Sequence, residues 1–200
     1  MAINLANNNS LANITALPSS VSGGAMTLLA TQTASGSANL SFTSGIDDTY
    51  DSYVFKFINI HPATGSNFTF QVDTGTNTSY NQTVTSTVFE AKHTENNSEA
   101  VLRYKADDDQ AQGSAFQKIA LGVGNDADSN CSGQLTIFNP SSTVFVKHFI
   151  ATTNNNKDND QSNNLPTGGY FNTTTALTRV QFKMASGNID SGVIKLYGIS

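Results

Sequence analysis

The chain has 200 residues, a formal net charge of −5 and only 12% charged residues. Its ten Lys and Arg form no cluster, which excludes a basic surface that neutralises phosphates, so no nucleic-acid partner is expected. The 24 Thr, 23 Asn and 22 Ser are typical of a surface that contacts other surfaces, or of a β-rich protein with many turns.

The start of the chain, MAINLANNNS, has neither the basic region nor the apolar region of a secretory signal. No apolar run has the length that a membrane span needs. Cys131 has no second cysteine with which to form an intramolecular disulfide. We therefore expect a protein that is made in a reducing cytosol and has no membrane partner.

Residues 1–22 are rich in Asn and Ser and lack the period of a helix or a strand. Five apolar residues are nevertheless scattered through them: Ile3, Leu5, Leu11, Ile14 and Leu17. A segment that contacts nothing would not need these side chains. They predict an extended N-terminal arm that binds either a neighbouring subunit or its own domain.

From residue 23 onward the chain is a series of short alternating or β-branched segments separated by turns that contain Gly, Asn, Asp or Pro. These segments predict ten or eleven strands, at 25–32, 38–43, 52–60, 67–72, 80–89, 99–106, 116–123, 134–139, 143–152, 178–185 and 192–199. In 67–72 we expect Phe68, Phe70 and Val72 on a buried face with Thr69 and Gln71 on a solvated one. Only 106–117 is expected to hold a helical turn.

The last strand, GVIKLYGI at 192–199, places Ile194 and Leu196 on one face of a pleated sheet and Lys195 and Tyr197 on the other. Many short strands without helices are typical of a sandwich or a barrel. The sequence therefore predicts an all-β fold: a single, jelly-roll-like β-sandwich of about ten strands at 23–200, preceded by the arm at 1–22. In this fold Ile194 and Leu196 face the core.

One loop contains part of a calcium-binding pattern. Asp126, Asp128 and Asn130 alternate as the first ligands of a calcium loop do. Cys131 and Ile137 stand where such a loop places Gly and a bidentate Glu. A solvated turn explains the pattern, and a bound cation remains the alternative.

No other constellation of residues encodes a reaction. His61, His93 and His148 do not pair at metal-ligand spacing, and the consecutive acids 107–109 are expected to be solvated. Cys131 has no histidine near it in sequence to act as a base. We expect no catalytic residue, no metal and no cofactor, and thus a protein that is not an enzyme.

Several stretches resemble, in matching order, structural proteins of tailed bacteriophages, especially phages of marine cyanobacteria and related hosts. They are DSYVFKFINIHPATGSNFTFQVD at 51–73, NPSSTVFVKHFIA at 139–151, GGYFNTTTALTRVQFKMASGNIDSG at 168–192 and the closing SGNIDSGVIKLYGIS with its IKLYGI strand. The likeness covers most of 24–200. It is a pattern of strands and turns, and it brings no catalytic residue with it.

The resemblance implies a virion component that is assembled in the cytoplasm of the bacterial host and acts by binding other capsid or tail proteins, as a homo-oligomer or in many copies. The composition and the arm favour a capsid decoration or auxiliary protein. The alternatives are a receptor- or glycan-binding module of a tail fibre or head fibre and, third, a small glycan hydrolase. A fibre is expected to carry a repetitive or coiled-coil shaft, which this sequence lacks.

Overall fold

The structure is a computed structural model that describes residues 26–157 and 160–200. Over these residues the protein is all-β and forms thirteen strands. In chain order they are β1 Thr27–Ser37, β2 Leu40–Phe42, β3 Ser52–Pro62, β4 Ser66–Thr74, β5 Val84–Thr94, β6 Ala100–Tyr104, β7 Ala111–Gly113, β8 Gln117–Val123, β9 Cys131–Phe138, β10 Lys147–Lys157, β11 Gln161–Phe171, β12 Leu177–Met184 and β13 Ile189–Ile199. No helix long and apolar enough to cross a membrane occurs within these two ranges.

The strands form two antiparallel sheets, one of nine strands and one of four. The large sheet begins with the order β1-β13-β3-β9, and the small sheet has the order β2-β12-β4-β8. Two four-stranded sheets connected in this alternating way are a jelly roll, which contains two Greek keys. The strands β10, β11, β5 and β6 extend the large sheet, and the short β7 pairs with β5. The predicted jelly-roll-like sandwich is confirmed.

Each of the eleven segments predicted from the sequence overlaps a strand, and two strands were missed. The short β7 lies in 106–117, where a helical turn was expected. The chain also makes one helical turn there, in which Asp108 N and Asp109 N both donate to Lys105 O, but the turn does not continue into a helix. The other missed strand, β11, reads QSNNLPTGGYF, a composition that favours turns. Its pairing with β5 skips Leu165 and Pro166, as expected where proline offers no N–H.

The core lies between the two sheets and is rich in phenylalanine. Ile194 and Leu196 of β13 are fully buried, as the alternation of the last strand predicted. At the centre of the core, the ring of Phe182 contacts five other rings at centroid distances of 5.2–6.3 Å. These five are Phe42, Phe55, Phe57, Phe68 and Phe70.

Strand β4 differs from the expectation of one solvated face. Thr69 and Gln71 are buried like their apolar neighbours. Gln71 Nε2 donates to the carbonyl oxygen of Gln82 at 2.9 Å and to that of Ala115 at 3.1 Å, so the chain around these residues covers the strand. Thr69 Oγ1 donates to Lys183 O at 2.9 Å. Burial is tolerated here because each of these polar side chains has a hydrogen-bond partner.

Candidate binding surfaces

An exposed apolar surface lies at the β6 end of the large sheet, on the face that points away from the small sheet. Phe89 of β5 pairs in register with Tyr104 of β6, and their rings meet edge to face at 5.4 Å. Leu102, opposite Ala91, is 76% exposed. We call Phe89, Leu102 and Tyr104 the edge patch. Because β6 is the last strand of the described sheet, its outer edge has no strand paired with it there.

Charged residues on the opposite face hold the edge patch in its orientation. Glu90 is 1% exposed, and its two oxygens bind Arg103 Nη2 at 2.7 Å and Lys157 Nζ at 3.2 Å. Burial raises the pKa of Glu90, but hydrogen bonds from Arg103 and Lys157 outweigh it, so the pKa lies below its usual value. A second pair, Lys92 with Glu99 at 2.8 Å, joins β5 to the residue just before β6.

A shallow recess of about 470 Å³ opens on the outer face of the large sheet near the rim where β9 ends and β10 begins. We call it the rim groove. Its main lining residues are Phe138, His148, Ile150, Gly168 and Tyr170, and none of the residues around it is Asp, Glu, Lys or Arg. His148 and Tyr170 pair in register with ring centroids 5.9 Å apart. The groove is therefore an uncharged and largely apolar site.

The third candidate surface is a polar recess of about 550 Å³ at the opposite rim. We call it the polar cleft. Asn59, His61, Asp128 and Asp190 are among its lining residues. His61 Nδ1 lies 2.7 Å from Ser129 O. Because a carbonyl oxygen only accepts, Nδ1 carries the hydrogen and Nε2 of a neutral ring is left as an acceptor. The cleft thus offers donors and acceptors of the kind that sugar hydroxyls bind.

The loop with the partial calcium pattern is a turn between β8 and β9. Asp126 and Asp128 are exposed, and Asn130 Nδ2 donates to Asp128 O at 3.2 Å. Asn130 N donates to Asn156 Oδ1 at 2.8 Å. Within residues 26–157 and 160–200 no three His, Cys, Asp or Glu side chains gather as metal ligands would. These hydrogen bonds within the protein hold the loop in its conformation.

The acids at 107–109 are not all solvated, contrary to the expectation. Asp108 is buried, and its carboxylate binds Lys118 Nζ at 2.6 Å and Lys105 Nζ at 3.3 Å. Tyr104 donates a short hydrogen bond to Asp109. Lys105, next to this loop in sequence, and Lys118 of β8 thus form ion pairs that hold the loop beside the end of β6.

Two potential nucleophiles are buried in the sandwich. Burial raises the pKa of the Cys131 thiol to about 12, although Thr153 forms a hydrogen bond that opposes the shift. Lys147 is 0% exposed, and its Nζ donates to Thr173 O at 3.0 Å. Burial lowers the pKa of this ammonium group. Neither residue lines the rim groove or the polar cleft.

The arm residues singled out in the sequence lie outside the described part of the chain: Ile3, Leu5, Leu11, Ile14 and Leu17. Sequence reasoning missed the edge patch and the rim groove. The apolar residues were visible in 99–106 and 143–152, but their exposure depends on pairings between strands that are distant in sequence. The one signal in the sequence was the imperfect alternation of 99–106.

Comparisons with protein-family models, curated proteins and solved structures found no match to this chain.

Proposed function

We propose that the protein is a structural component of a tailed-bacteriophage virion, and that it decorates the capsid by binding other proteins on the particle surface. The resemblance of 51–73, 139–151 and 168–200 to such proteins supports this proposal. In this function the protein is not an enzyme and needs no cofactor. It is assembled onto the particle in the host cytoplasm.

The topology supports the proposal by analogy of fold. Jelly rolls occur in viral capsid domains, where many copies pack side by side, and also in lectin domains and other families. A fold hosts many functions, so the function must be argued from a surface. Here the extension β10-β11-β5-β6 widens one sheet beyond the eight-stranded jelly roll and carries the edge patch at its end.

The observation that carries the proposal is the combination of an apolar patch with a strand edge that pairs with none of the described strands. Leu102 is 76% exposed and lies on the same face as Phe89 and Tyr104, which pair with each other across the two strands. Apolar patches with polar rims mark protein interaction sites, and the N–H and C=O groups of an unpaired edge can bind a further strand. We infer that a capsid protein or a second copy of this chain covers the patch.

The expected strength of this contact favours many copies. Full burial of a large apolar side chain contributes about 1.5–3 kcal/mol, so the three patch residues contribute several kcal/mol. Association costs about 4–15 kcal/mol in lost freedom of motion. One contact of this size is weak, whereas several linked contacts on one particle raise the total affinity through effective concentration.

The test is incorporation into particles that lack the native protein. We expect Leu102→Ser combined with Tyr104→Ser to reduce the amount of protein that sediments with the particles at least about tenfold, the effect of losing about 1.4 kcal/mol. The control is Val144→Ser, which removes a 69% exposed apolar side chain outside the patch. Incorporation of the double variant at the wild-type level would contradict the edge patch as the attachment site.

A receptor- or glycan-binding module of a tail or head fibre is the second candidate function, and the polar cleft is the observation that favours it. Asp128 and Asp190 line the cleft, whereas Asp126 of the same loop does not. If the cleft binds a glycan, Asp128→Asn and Asp190→Asn should reduce adsorption to host cells or binding to a glycan array. Asp126→Asn is the matched control. If Asp128→Asn and Asp190→Asn bind as well as Asp126→Asn and the wild type do, the result would contradict this function.

A further inference from the structure

A glycine among the lining residues leaves open space in the rim groove. Gly168 of β11 lies on the outer face between Ile150 of β10 and Thr87 of β5. A Cβ atom at Gly168 would have its nearest neighbours at 3.9 and 4.0 Å, so a side chain would fit there. Ile150, beside this gap, is 57% exposed. The recess therefore has room for an apolar side chain from another segment.

A row of paired residues on the outer face, of which Val54 is buried, connects the groove to the place where the described chain begins. Each residue of the row pairs in register with the next across one strand of the sheet. The row is Leu28, Tyr197, Val54, Thr136, Ile150 and Gly168. Leu28 is the second residue of β1, so the row starts close to the point from which residues 1–25 extend.

The sequence of residues 1–25 fits this surface. It contains no Asp, Glu, Lys or Arg, although its apolar residues include Leu5, Leu11 and Leu17. The groove is likewise free of charged lining residues. Binding between them would bury no charge, which is the costliest part of forming an interface. Gly23 and Gly24, just before β1, permit a sharp change of chain direction.

The distance from β1 to the groove matches the length of this segment. The groove lies four to five strands away from β1, at β10 and β11, which corresponds to about 19–24 Å at a strand spacing of about 4.8 Å. A coil of 15 residues, the number from Leu11 to residue 25, spans about 21 Å on average. A tether gives the highest effective concentration when its average length equals the span.

We propose that residues 1–25 turn back across the outer face of the large sheet and dock in the rim groove of the same chain, with an apolar side chain over Gly168. This contact is intramolecular in the isolated protein because the matched span gives the groove of the same chain the highest local concentration of the segment. It is independent of the edge patch and of the proposed attachment to a particle.

The test is disulfide trapping in the full-length protein. Leu11→Cys combined with Ile150→Cys is compared with Leu11→Cys combined with Asn154→Cys, with oxidised glutathione as oxidant. Asn154 is exposed on the same strand and the same face, about 13 Å further along. The native Cys131 does not compete, since burial raises its pKa to about 12.

We expect the Ile150 pair to form a monomeric cross-linked product about ten times faster than the Asn154 pair, the ratio that a docking free energy of about 1.4 kcal/mol gives. Equal rates would show that the segment does not dock in the groove and would overturn the proposal. Mixing the single variants provides the third arm. Cross-linked dimers from this mixture, together with no monomeric product from the double variant, would assign the groove to a second copy and overturn the proposal as well.

Filling the groove should abolish the faster cross-linking of the Ile150 pair. Gly168→Val places a side chain in the open space. If this variant lowers the melting temperature, Thr87→Tyr is used instead, because it fills the recess from the opposite wall. In either background the ratio of the two cross-linking rates should fall to about 1, as expected when no docking free energy remains. A ratio that stays near its original value in both backgrounds would overturn the groove as the docking site.

Discussion

Glu90 of β5 and Arg103 of β6 stand directly opposite each other and form an ion pair of 2.7 Å on the inner side of the sheet edge. Their pairing fixes the register of the two strands. A shift by one residue would turn every side chain of β6 to the other face, and Leu102 would then leave the outer surface. An ion pair between the buried Glu90 and the half-exposed Arg103 thus helps to determine where the apolar patch lies.

The first prediction concerns this ion pair. Glu90→Gln should destabilise the protein at pH 7 by about 1.5–3 kcal/mol, because Arg103 and Lys157, which stay partly solvated, lose the charged partner of their hydrogen bonds. The pKa of Glu90 is lowered in the folded state from 4.5, so the stability it contributes is present above pH 4.5 and is lost as the pH falls through the folded value. The difference between wild type and variant in urea unfolding should therefore shrink below pH 4.5.

Asp128→Asn removes an exposed carboxylate and serves as the control for this first prediction. It should change the free energy of unfolding by less than about 0.5 kcal/mol at pH 7. A loss for Glu90→Gln that stays constant from pH 7 to pH 3 would show that the carboxylate charge of Glu90 is not what stabilises the edge.

The second prediction compares two adjacent glycines of β11. A Cβ at Gly169 would lie 2.5 Å from Thr85 O and 2.9 Å from the Phe149 ring, whereas a Cβ at Gly168 meets nothing nearer than 3.9 Å. Gly169→Ala should cost about 1–3 kcal/mol through overpacking. Gly168→Ala should stabilise the protein by about 0.4–1 kcal/mol through the unfolded state. Thermal unfolding measures both, and equal melting temperatures would contradict the close approach of Thr85 and Phe149 to Gly169.

The sequence predicted the jelly-roll part of the fold better than its extension. Strands such as β3 and β13 alternate apolar and polar side chains, and this pattern alone indicates which face is buried. Strand β11 carries Asn163, Pro166 and Gly169 at positions where long-range pairing, rather than local preference, decides the conformation. Its place between β10 and β5 is set by partners up to 87 positions away in sequence, as for Phe171 and Val84.

The third prediction concerns the centre of the core. Phe182→Ala should destabilise the protein by about 3–5 kcal/mol, because it leaves a cavity among five phenylalanine rings. Phe138→Ala is the matched control, since Phe138 is exposed at the rim groove. Its cost in urea unfolding should stay below about 1 kcal/mol. Similar costs for the two substitutions would contradict the central position of Phe182.

The fourth prediction concerns the single cysteine. Cys131 is fully buried, and burial raises its pKa to about 12. The thiolate is the reactive form, so native protein should not react with a disulfide reagent at pH 8 over a time in which a free thiol reacts completely. Addition of denaturant should release one thiol per chain. Full reaction of the native protein would show that Cys131 is accessible.

The candidate surfaces could not be predicted from the sequence for a physical reason. Ile150 and Leu102 have the same chemistry as core residues, and only the side of the sheet on which they lie makes them exposed. That side depends on the register of β10 with β11 and of β6 with β5, which long-range pairing establishes. The uncharged composition of the arm, by contrast, was evident from the sequence alone.

The fifth prediction concerns Lys147. Its side chain is 0% exposed, and its Nζ donates to Thr173 O at 3.0 Å. Burial lowers the pKa of this ammonium group in the folded state from 10.5. Between the lowered value and pH 10.5 the unfolded chain binds more protons than the folded one, so wild-type stability should rise with pH in this window.

Lys147→Met keeps the length of the side chain and removes the buried charge. At pH 7 we expect the variant to be at least as stable as wild type, with a gain on the order of 1 kcal/mol, because the desolvation cost is removed while one hydrogen bond to Thr173 is lost. The gain should close as the pH rises through 10.5, above which the charge is lost in both states. Lys195→Met, on the outer face of β13, is the control, because it measures how the stability changes when a lysine is removed from the outer face. A gain for Lys147→Met that is independent of pH would show that packing, and not the cost of burying the ammonium charge, explains it.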